Sequence, residues 1–268
     1  MEIQWSLVIF TTLAGCGAWL AAILGLNELR GDVKDASTKS IATIAALALV
    51  IVGGIASVTH LSHPDRIMAA LGHPTSGIFM EALFVGLIAI ALIVYLAAVK
   101  RNASAGALKG IGVVVGVIGL VMTFVLGYSY MMEGRPAWNT PLLPLGYMFT
   151  ALPAGAGAWM AICGMKKEDA SFAGLLLCVG GILGAVFAVL YGFVSGVAMG
   201  AQAALFWLLP VVIGGVAPAV CGYFGRAKAS QAVTMGWVGF ACALVGCAGF
   251  RCLMWLTGMP VDNFFGLI

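Results

Sequence analysis

The three histidines of the chain and one glutamate gather around a single polar stretch. His60, His63 and His73 lie in or beside it, and Glu81 stands four residues into the apolar run that follows. If the apolar runs on either side are consecutive antiparallel helices, His60 ends the first and Glu81 lies about one turn inside the second. The spacing therefore predicts an imidazole and a carboxylate at the same depth.

An imidazole beside a carboxylate favours proton transfer. A neutral imidazole accepts a hydrogen bond from a phenolic hydroxyl and then takes its proton. Removal from water raises the pKa of a carboxylic acid toward that of imidazole, so that the acid can also exchange a proton. Oxidation of a quinol needs this combination, with an apolar pocket open to lipid. We therefore predict His60 and Glu81 as catalytic residues. Structural roles stay open: His60 can bond a loop carbonyl at a helix end. Glu81 can pair with Arg66 or Arg135.

Metal chemistry is not expected in this chain. Haem b needs two axial imidazoles on facing helices, and no second helix carries a histidine. His60 and His63 could share a metal, but a zinc site would need further Cys or His ligands nearby. The seven cysteines all fall inside apolar runs without a CxxC pair or clustered spacing, so we interpret them as packing residues.

A second polar stretch spans residues 128–144. Its three prolines indicate a rigid, irregular loop, and it contains Tyr128, Tyr130 and Trp138. Amphipathic rings of this kind are typical of the aromatic belt at a membrane interface. The belt alone is a sufficient interpretation of these three residues.

Alternatively, this loop completes the site. Arg135, Trp138 and Thr140 would then fold toward His60, close the pocket and present a docking surface. Arg251 lies about one turn from the end of the last apolar run. We interpret it as an arginine whose long side chain reaches the membrane rim, or as a contact for a partner.

The amino-acid composition indicates which medium surrounds the protein. Of 268 residues, 62% are hydrophobic and 9% are charged, too few charged residues to cover a soluble protein of this length. The net charge of +3 does not indicate nucleic-acid binding. The sequence therefore predicts a protein whose surface mostly contacts lipid.

Eight apolar runs are long enough to cross a bilayer. Because they are continuous rather than alternating, each is predicted to be a helix. The expected fold is an all-α integral membrane protein with one polytopic domain over residues 1–268, grouped as two four-helix bundles, and a quinol-site half over 1–165. The runs extend approximately from Trp5 to Leu26, Ile41 to Thr59, Gly77 to Val99, Leu108 to Met131, Leu142 to Met165, Phe172 to Val197, Ala201 to Phe224 and Ala232 to Leu256.

The distribution of positive charge predicts the orientation. Ten of the 13 Lys and Arg residues fall in the connections after helices one, three, five and seven. Cytoplasmic connections carry this excess. Both termini, the His60 stretch and the 132–141 loop are therefore expected on the extracytoplasmic side.

Four segments resemble the membrane anchor subunit of dimethyl sulfoxide reductase and its relatives. The resemblance extends over the full length in helix number and orientation, while the motifs lie mainly in the first five helices. The His-Leu-x-x-Pro-x-Arg block is the most specific. The segments are WSLVIFTTLAG at 5–15, ASVTHLSHPDR at 56–66, SGIFME at 76–81 and RPAWNTPL at 135–142.

The resemblance implies a function in anaerobic respiration. Such an anchor lies in the bacterial inner membrane, holds no haem or metal, and oxidises menaquinol near its outward face. Electrons then pass to a four-cluster iron–sulfur subunit on that face and on to a molybdenum catalytic subunit, which reduces a terminal acceptor such as dimethyl sulfoxide. The implied partners are these subunits and lipid, without nucleic acid, and the anchor itself does not reduce the terminal acceptor.

The resemblance also assigns residues. His60 matches the quinol-site histidine of the family, Glu81 its helix-three glutamate and Arg66 its loop arginine. Thr140 matches a position in the second loop. With the loop residues considered above, the expected quinol-binding set is His60, Arg66, Glu81, Arg135, Trp138 and Thr140.

Two alternatives share the eight-helix architecture. A secondary transporter is compatible with abundant glycine and with Pro210 and Pro218 breaking helix seven, but it predicts mid-depth polar residues and an internal repeat, which the sequence does not show. A quinone subunit of the polysulfide or nitrite reductase type would differ in its loop motifs.

Overall fold

The structure, a computed structural model, describes residues 2–59, 72–73 and 76–257. Within these ranges it is helical without strands, and eight helices are long and apolar enough to cross a membrane. The all-helical, eight-span prediction is confirmed. The helices are α1 (Trp5–Arg30), α2 (Ala36–Val58), α3 (Gly77–Lys100), α4 (Ala105–Tyr128), α5 (Leu142–Met165), α6 (Ser171–Val194), α7 (Ala203–Ala227) and α8 (Ala232–Thr257).

Local capping explains where the helix ends differ from the expected bounds. Helix α2 begins at Ala36 rather than Ile41 because the Asp35 carboxylate accepts hydrogen bonds from the Thr38 backbone N–H at 2.7 Å and the Thr38 hydroxyl at 2.8 Å. These bonds hold the pKa of Asp35 below its usual value. Helix α4 ends at Tyr128, so Tyr130 belongs to the following connection.

Helices α1 and α5 lie at the centre of the protein. Helix α1 packs against α2, α4 and α5, and α5 packs against α1, α4, α6 and α8. Most residues of α1 and α5 are buried, whereas α3 exposes large apolar side chains such as Ile90 and Ile93, as expected of a lipid-facing helix. The grouping into two bundles and the orientation of the termini stay predictions.

The two prolines of helix seven do not interrupt α7. Its segment Trp207–Val216 is a π-helix that contains Pro210, and Pro218 lies in the first turn of the α-helical part that follows. The wide turn accommodates a proline, which has no backbone N–H to donate. The helix therefore continues from Ala203 to Ala227.

A buried ion pair joins three helices at the end of the bundle where α1 ends and α2 begins. The Lys39 ammonium lies 2.7 Å from Glu28 Oε1, and both side chains are less than a tenth exposed. The Tyr95 hydroxyl of α3 donates to the same oxygen at 2.5 Å. The opposite end of the bundle, where α2 ends, α3 begins and α4 ends, is called the site end below.

This pair predicts an asymmetric effect on stability. Replacing Lys39→Met leaves the Glu28 charge buried without its partner, so we expect the free energy of unfolding to fall by about 3–5 kcal/mol. The double variant Glu28→Gln, Lys39→Met should recover most of this loss. Thermal unfolding of the purified protein in detergent measures both.

The exposed pair of Arg30 and Asp32 provides the control. Because these side chains are 43% and 33% exposed, Asp32→Asn should change the free energy of unfolding by less than about 1 kcal/mol. Equal shifts for Lys39→Met and Asp32→Asn would contradict the stabilising role of the buried pair.

Candidate functional site

Glu81 is held at the site end by the start of α3 and the end of α4. The Ser76 hydroxyl caps α3 by accepting from the Phe79 backbone N–H at 3.2 Å, so Glu81 lies in the second turn. The Ser129 hydroxyl donates to Glu81 Oε1 at 2.6 Å. A Cβ at Gly77 would lie 3.0 Å from the Ser129 carbonyl oxygen, so glycine at this position permits the close approach.

The carboxylate does not pair with Arg135. No ion pair joins Glu81 to a cationic side chain within the described ranges, and the Arg135 guanidinium instead stacks over the Trp138 ring at 4.2 Å. The alternative role of Glu81 as a partner of Arg135 is therefore wrong. Because Ser129 is a neutral donor, it stabilises the acid without cancelling its charge.

An apolar cavity of about 360 Å³ begins at Glu81. In the described part of the chain, the polar side chains that line it are Glu81 and Ser57. The Ser57 hydroxyl donates to the Gly54 carbonyl at 2.8 Å. Ile51, Ile55 and Ile78 border the cavity and are between 43% and 62% exposed, which opens it toward lipid. The lining comes from α1, α2 and α3: Phe10, Ile51, Gly54, Ile55, Ser57, Val58, Ile78, Glu81, Ala82, Val85 and Gly86.

Two of the predicted site residues, His60 and Arg66, lie outside the described residues, as does His63. Their roles stay predictions. Thr59, at the end of α2, donates its hydroxyl to the Ala56 carbonyl at 2.7 Å. In the sequence, His60 directly follows Thr59. Helix α2 contributes Ser57 and Val58 to the cavity.

Trp138 is a core residue rather than part of an interfacial belt. It is 1% exposed, its indole N–H donates to the Met254 carbonyl of α8 at 2.9 Å, and its ring meets that of Trp255 edge to face at 5.0 Å. Tyr130 is also buried, so the belt interpretation is wrong for both residues. Tyr128 is 55% exposed, as a belt residue would be.

Thr140 shapes the entry into α5. Its side chain is buried, and its hydroxyl accepts a hydrogen bond from the Leu142 backbone N–H at 3.3 Å. The described geometry therefore gives Thr140 a local structural role. Contact of this loop with His60 stays a prediction.

Arg251 is fully buried, so the interpretation that it reaches the membrane rim is wrong. Its Nε donates to the Thr11 hydroxyl at 3.0 Å, and its Nη1 donates to the Thr150 hydroxyl at 3.3 Å. Further bonds run to the carbonyls of Thr11, Cys247 and Tyr147 at 3.2, 3.0 and 3.3 Å. The guanidinium thus joins α1, α5 and α8, and no carboxylate in the described part of the protein pairs with it.

The arrangement suits a proton acceptor for a lipid-soluble molecule. An apolar cavity receives a ring or a chain from the bilayer, and a carboxylate at its polar end can take a proton from a hydroxyl of that molecule. Sequence reasoning predicted Glu81 but not Ser129, its hydrogen-bond donor. Ser129 stands next to the aromatic residues of the second polar stretch, and helical periodicity gave no signal for its contact with α3.

Two comparisons with known proteins bear on the function. The family described as DMSO reductase anchor subunit (DmsC) has a model that matches residues 1–220. The chain is also 29% identical over 197 residues to a subunit of the anaerobic dimethyl sulfoxide reductase of Haemophilus influenzae, a match that spans 70% of this chain and 69% of that protein.

The contribution of Trp138 to the free energy of unfolding can be measured. We expect Trp138→Ala to lower the free energy of unfolding by about 3–5 kcal/mol, because loss of a large buried ring leaves a cavity. Trp138→Phe keeps most of the ring and should lose about 1 kcal/mol with its hydrogen bond. Thermal unfolding in detergent would show these shifts, with exposed Tyr128→Ala as the control. A shift for Trp138→Ala no larger than that control would place Trp138 outside the core.

Proposed function

The chain belongs to the DMSO reductase anchor subunit family, and from this premise we propose that it oxidises menaquinol in the cavity between α1, α2 and α3. A member of this family with eight spanning helices is a multi-pass membrane anchor of the bacterial inner membrane. The match favours this function over a secondary transporter or a polysulfide or nitrite reductase subunit.

The cavity supports a quinol as its occupant. Its volume of about 360 Å³ lies within the range of roughly 300–1,000 Å³ for small-molecule sites. Among the described residues its lining is apolar except for Glu81 and Ser57, and the isoleucines at its border are exposed. An apolar ring with hydroxyl groups and a lipid-soluble tail matches this distribution of polar and apolar surface.

The proton chemistry divides between two side chains. A quinol that becomes a quinone releases two protons and two electrons. One quinol O–H bond breaks as an O–H bond forms on the Glu81 carboxylate, and the other proton goes to the His60 imidazole. Both groups then release their protons to water on the outward side. The observation that carries the proposal is the Glu81 carboxylate at the polar end of the cavity, held there by a neutral hydroxyl.

The electrons leave the protein at the same end. The partner is a four-cluster iron–sulfur subunit docked on the extracytoplasmic face, from which electrons reach a molybdenum catalytic subunit. The name of the Haemophilus influenzae relative, which assigns it to an anaerobic dimethyl sulfoxide reductase, supports dimethyl sulfoxide as the terminal acceptor. In that reaction two electrons and two protons convert the sulfoxide into the sulfide and water.

Loss of either proton acceptor should separate two activities of the assembled complex. We expect Glu81→Gln and His60→Ala each to lower menaquinol-dependent reduction of dimethyl sulfoxide by about 100-fold or more, the scale of general base catalysis. Reduction driven by an artificial dye, which bypasses the anchor, should persist. Glu133→Gln is the control, since Glu133 is exposed in the connection after α4. Normal quinol turnover by Glu81→Gln would refute the role of the carboxylate.

Filling the cavity tests where the quinol binds. A Cβ at Gly86 meets no atom within 4 Å, so Gly86→Leu extends into the cavity without disturbing a helix contact. We expect a KM for quinol at least about 10-fold higher, equivalent to about 1.4 kcal/mol. Gly110 has equally open surroundings but does not line the cavity, which makes Gly110→Leu the matched control. An unchanged KM in Gly86→Leu would place the quinol elsewhere.

A further inference from the structure

A second polar pocket lies at the end of the bundle opposite the site end. It has a volume of about 230 Å³ and lies between the end of α1, the α1–α2 connection and the start of α6. The described residues that line it do not line the cavity at Glu81. This pocket is called the rim pocket below, and its lining includes Ile23, Asn27, Arg30, Asp32, Asp169 and Phe172.

The α1–α2 connection is held against the end of α1. Gly31 ends the helix with a φ of 73°, a conformation that glycine adopts readily because it has no Cβ. The side-chain amide of Asn27 then bonds both backbone groups of Val33. Its Nδ2 donates to the carbonyl at 3.0 Å, and its Oδ1 accepts from the N–H at 2.9 Å. Asp32 is thereby placed beside Arg30, whose Nε donates to its carboxylate at 2.5 Å.

The charged side chains of the rim pocket are one guanidinium and two carboxylates. The Arg30 guanidinium lies over the Phe172 ring at 3.7 Å. Its hydrogen bond to Asp32 uses Nε, which leaves the two terminal amino groups for a further acceptor. Asp169 accepts from the backbone N–H and the hydroxyl of Ser171, both at 2.9 Å. These bonds hold the pKa of Asp169 below its ordinary value, so the carboxylate is ionised at neutral pH.

The charges of the rim pocket favour a ligand that carries both signs. Lys34, Lys166 and Lys167 belong to the same connections, but they are exposed and do not line the pocket. A purely anionic group would bind near two carboxylates and one guanidinium. A phosphate linked to an ammonium instead provides a partner for Arg30 and a partner for Asp169, which has no cationic partner in the part of the chain that the structure describes.

An apolar groove of about 260 Å³ continues from the rim pocket along the lipid-facing surface. Ile23 lines both the pocket and the groove. Helices α4 and α6 flank the groove without packing closely on each other in the described residues, so Leu26 and Leu29 of the mostly buried α1 are exposed between them. The lining extends along α1 from Leu29 to Trp19. At 1.5 Å per residue this is about 15 Å, or half of a hydrocarbon core of about 30 Å.

We propose that the rim pocket and the groove together bind one molecule of phosphatidylethanolamine. The phosphate accepts hydrogen bonds from the terminal amino groups of Arg30, a geometry that guanidinium favours. The primary ammonium donates to the Asp169 carboxylate, and one acyl chain lies in the groove at the depth of a single leaflet. The lipid then fills the space that α4 and α6 leave beside α1. This site is independent of the quinol and of the proposed function.

The test is native mass spectrometry of the detergent-purified complex, titrated with one lipid at a time. The probes are phosphatidylethanolamine, phosphatidylcholine and phosphatidylglycerol with identical acyl chains. We expect phosphatidylethanolamine to bind about 10-fold more tightly than either of the others, the scale of one hydrogen bond to a charged group. Choline carries methyl groups in place of the N–H donors, and glycerol lacks the positive charge.

Two results of this titration would overturn the proposal. Equal affinities for phosphatidylethanolamine and phosphatidylcholine would show that no carboxylate accepts from the ammonium. Tightest binding of phosphatidylglycerol would show that the exposed lysines, rather than the rim pocket, select the headgroup.

Substitutions in the rim pocket locate the headgroup. Asp169→Asn keeps an acceptor for the Ser171 N–H but removes the charge, so the affinity for phosphatidylethanolamine should fall about 10-fold to that for phosphatidylcholine. Arg30→Gln should weaken the binding of all three lipids, because each carries the phosphate. Glu168→Gln is the matched control, since Glu168 precedes Asp169 but does not line the pocket. A preference for phosphatidylethanolamine that survives Asp169→Asn, or an equal loss in Glu168→Gln, would overturn the proposal.

A pair of substitutions on α4 locates the acyl chain. Val117 and Val114 are 55% and 54% exposed, but only Val117 lines the groove. We expect Val117→Phe, which fills the groove, to weaken the binding of all three lipids about 10-fold, and Val114→Phe to leave it unchanged. The mass of the intact complex in the same spectra shows that each variant assembles. Equal affinities in Val117→Phe and Val114→Phe would refute the placement of the chain.

Discussion

The hydrogen bond from Ser129 to Glu81 is the contact on which the site depends. An acid at the edge of a bilayer is costly unless the protein supplies a donor, and here the donor comes from the end of the neighbouring helix at 2.6 Å. The contact requires α3 to begin where α4 ends, and Gly77 permits that approach. With α3 fixed in this way, its next turns form one wall of the cavity.

The carboxylates at the two ends of the helix bundle have different electrostatic environments. At one end Glu28 is held by the ammonium of Lys39 and the hydroxyl of Tyr95, so its negative charge is compensated. At the site end, Glu81 is bonded among the described residues by a neutral hydroxyl. Within the part of the chain that the structure describes, the charge of Glu81 is thus not compensated by a cation, whereas that of Glu28 is. This difference is the physical reason to assign proton transfer to Glu81 and a structural role to Glu28.

The sequence was sufficient to predict the eight helices and the position of Glu81 near the start of α3, because both depend on local pattern. A run of about 20 apolar residues is a spanning helix, and counting turns from Ser76 gives the position of the acid. The burial of Arg251 could not be predicted in this way. Its position near a helix end suggested the membrane rim, whereas its acceptors Thr11 and Thr150 are remote in sequence. Hydropathy does not distinguish a lipid-facing position from one that faces another helix. The pairing of Lys39 with Glu28 was missed because the predicted second helix began at Ile41, which placed Lys39 in a connection.

The part of the protein that lines the cavity and the part that fixes the neighbouring 128–144 stretch are different. The cavity is built by α1, α2 and α3, within the 220 residues that match the family. Helix α8 lies beyond that match, yet its Met254 carbonyl fixes Trp138 and its Arg251 lies over Tyr147. Tyr130 packs against both of these rings, so α8 fixes the 128–144 stretch through aromatic contacts. The shape of the cavity, in contrast, is under the control of the first three helices.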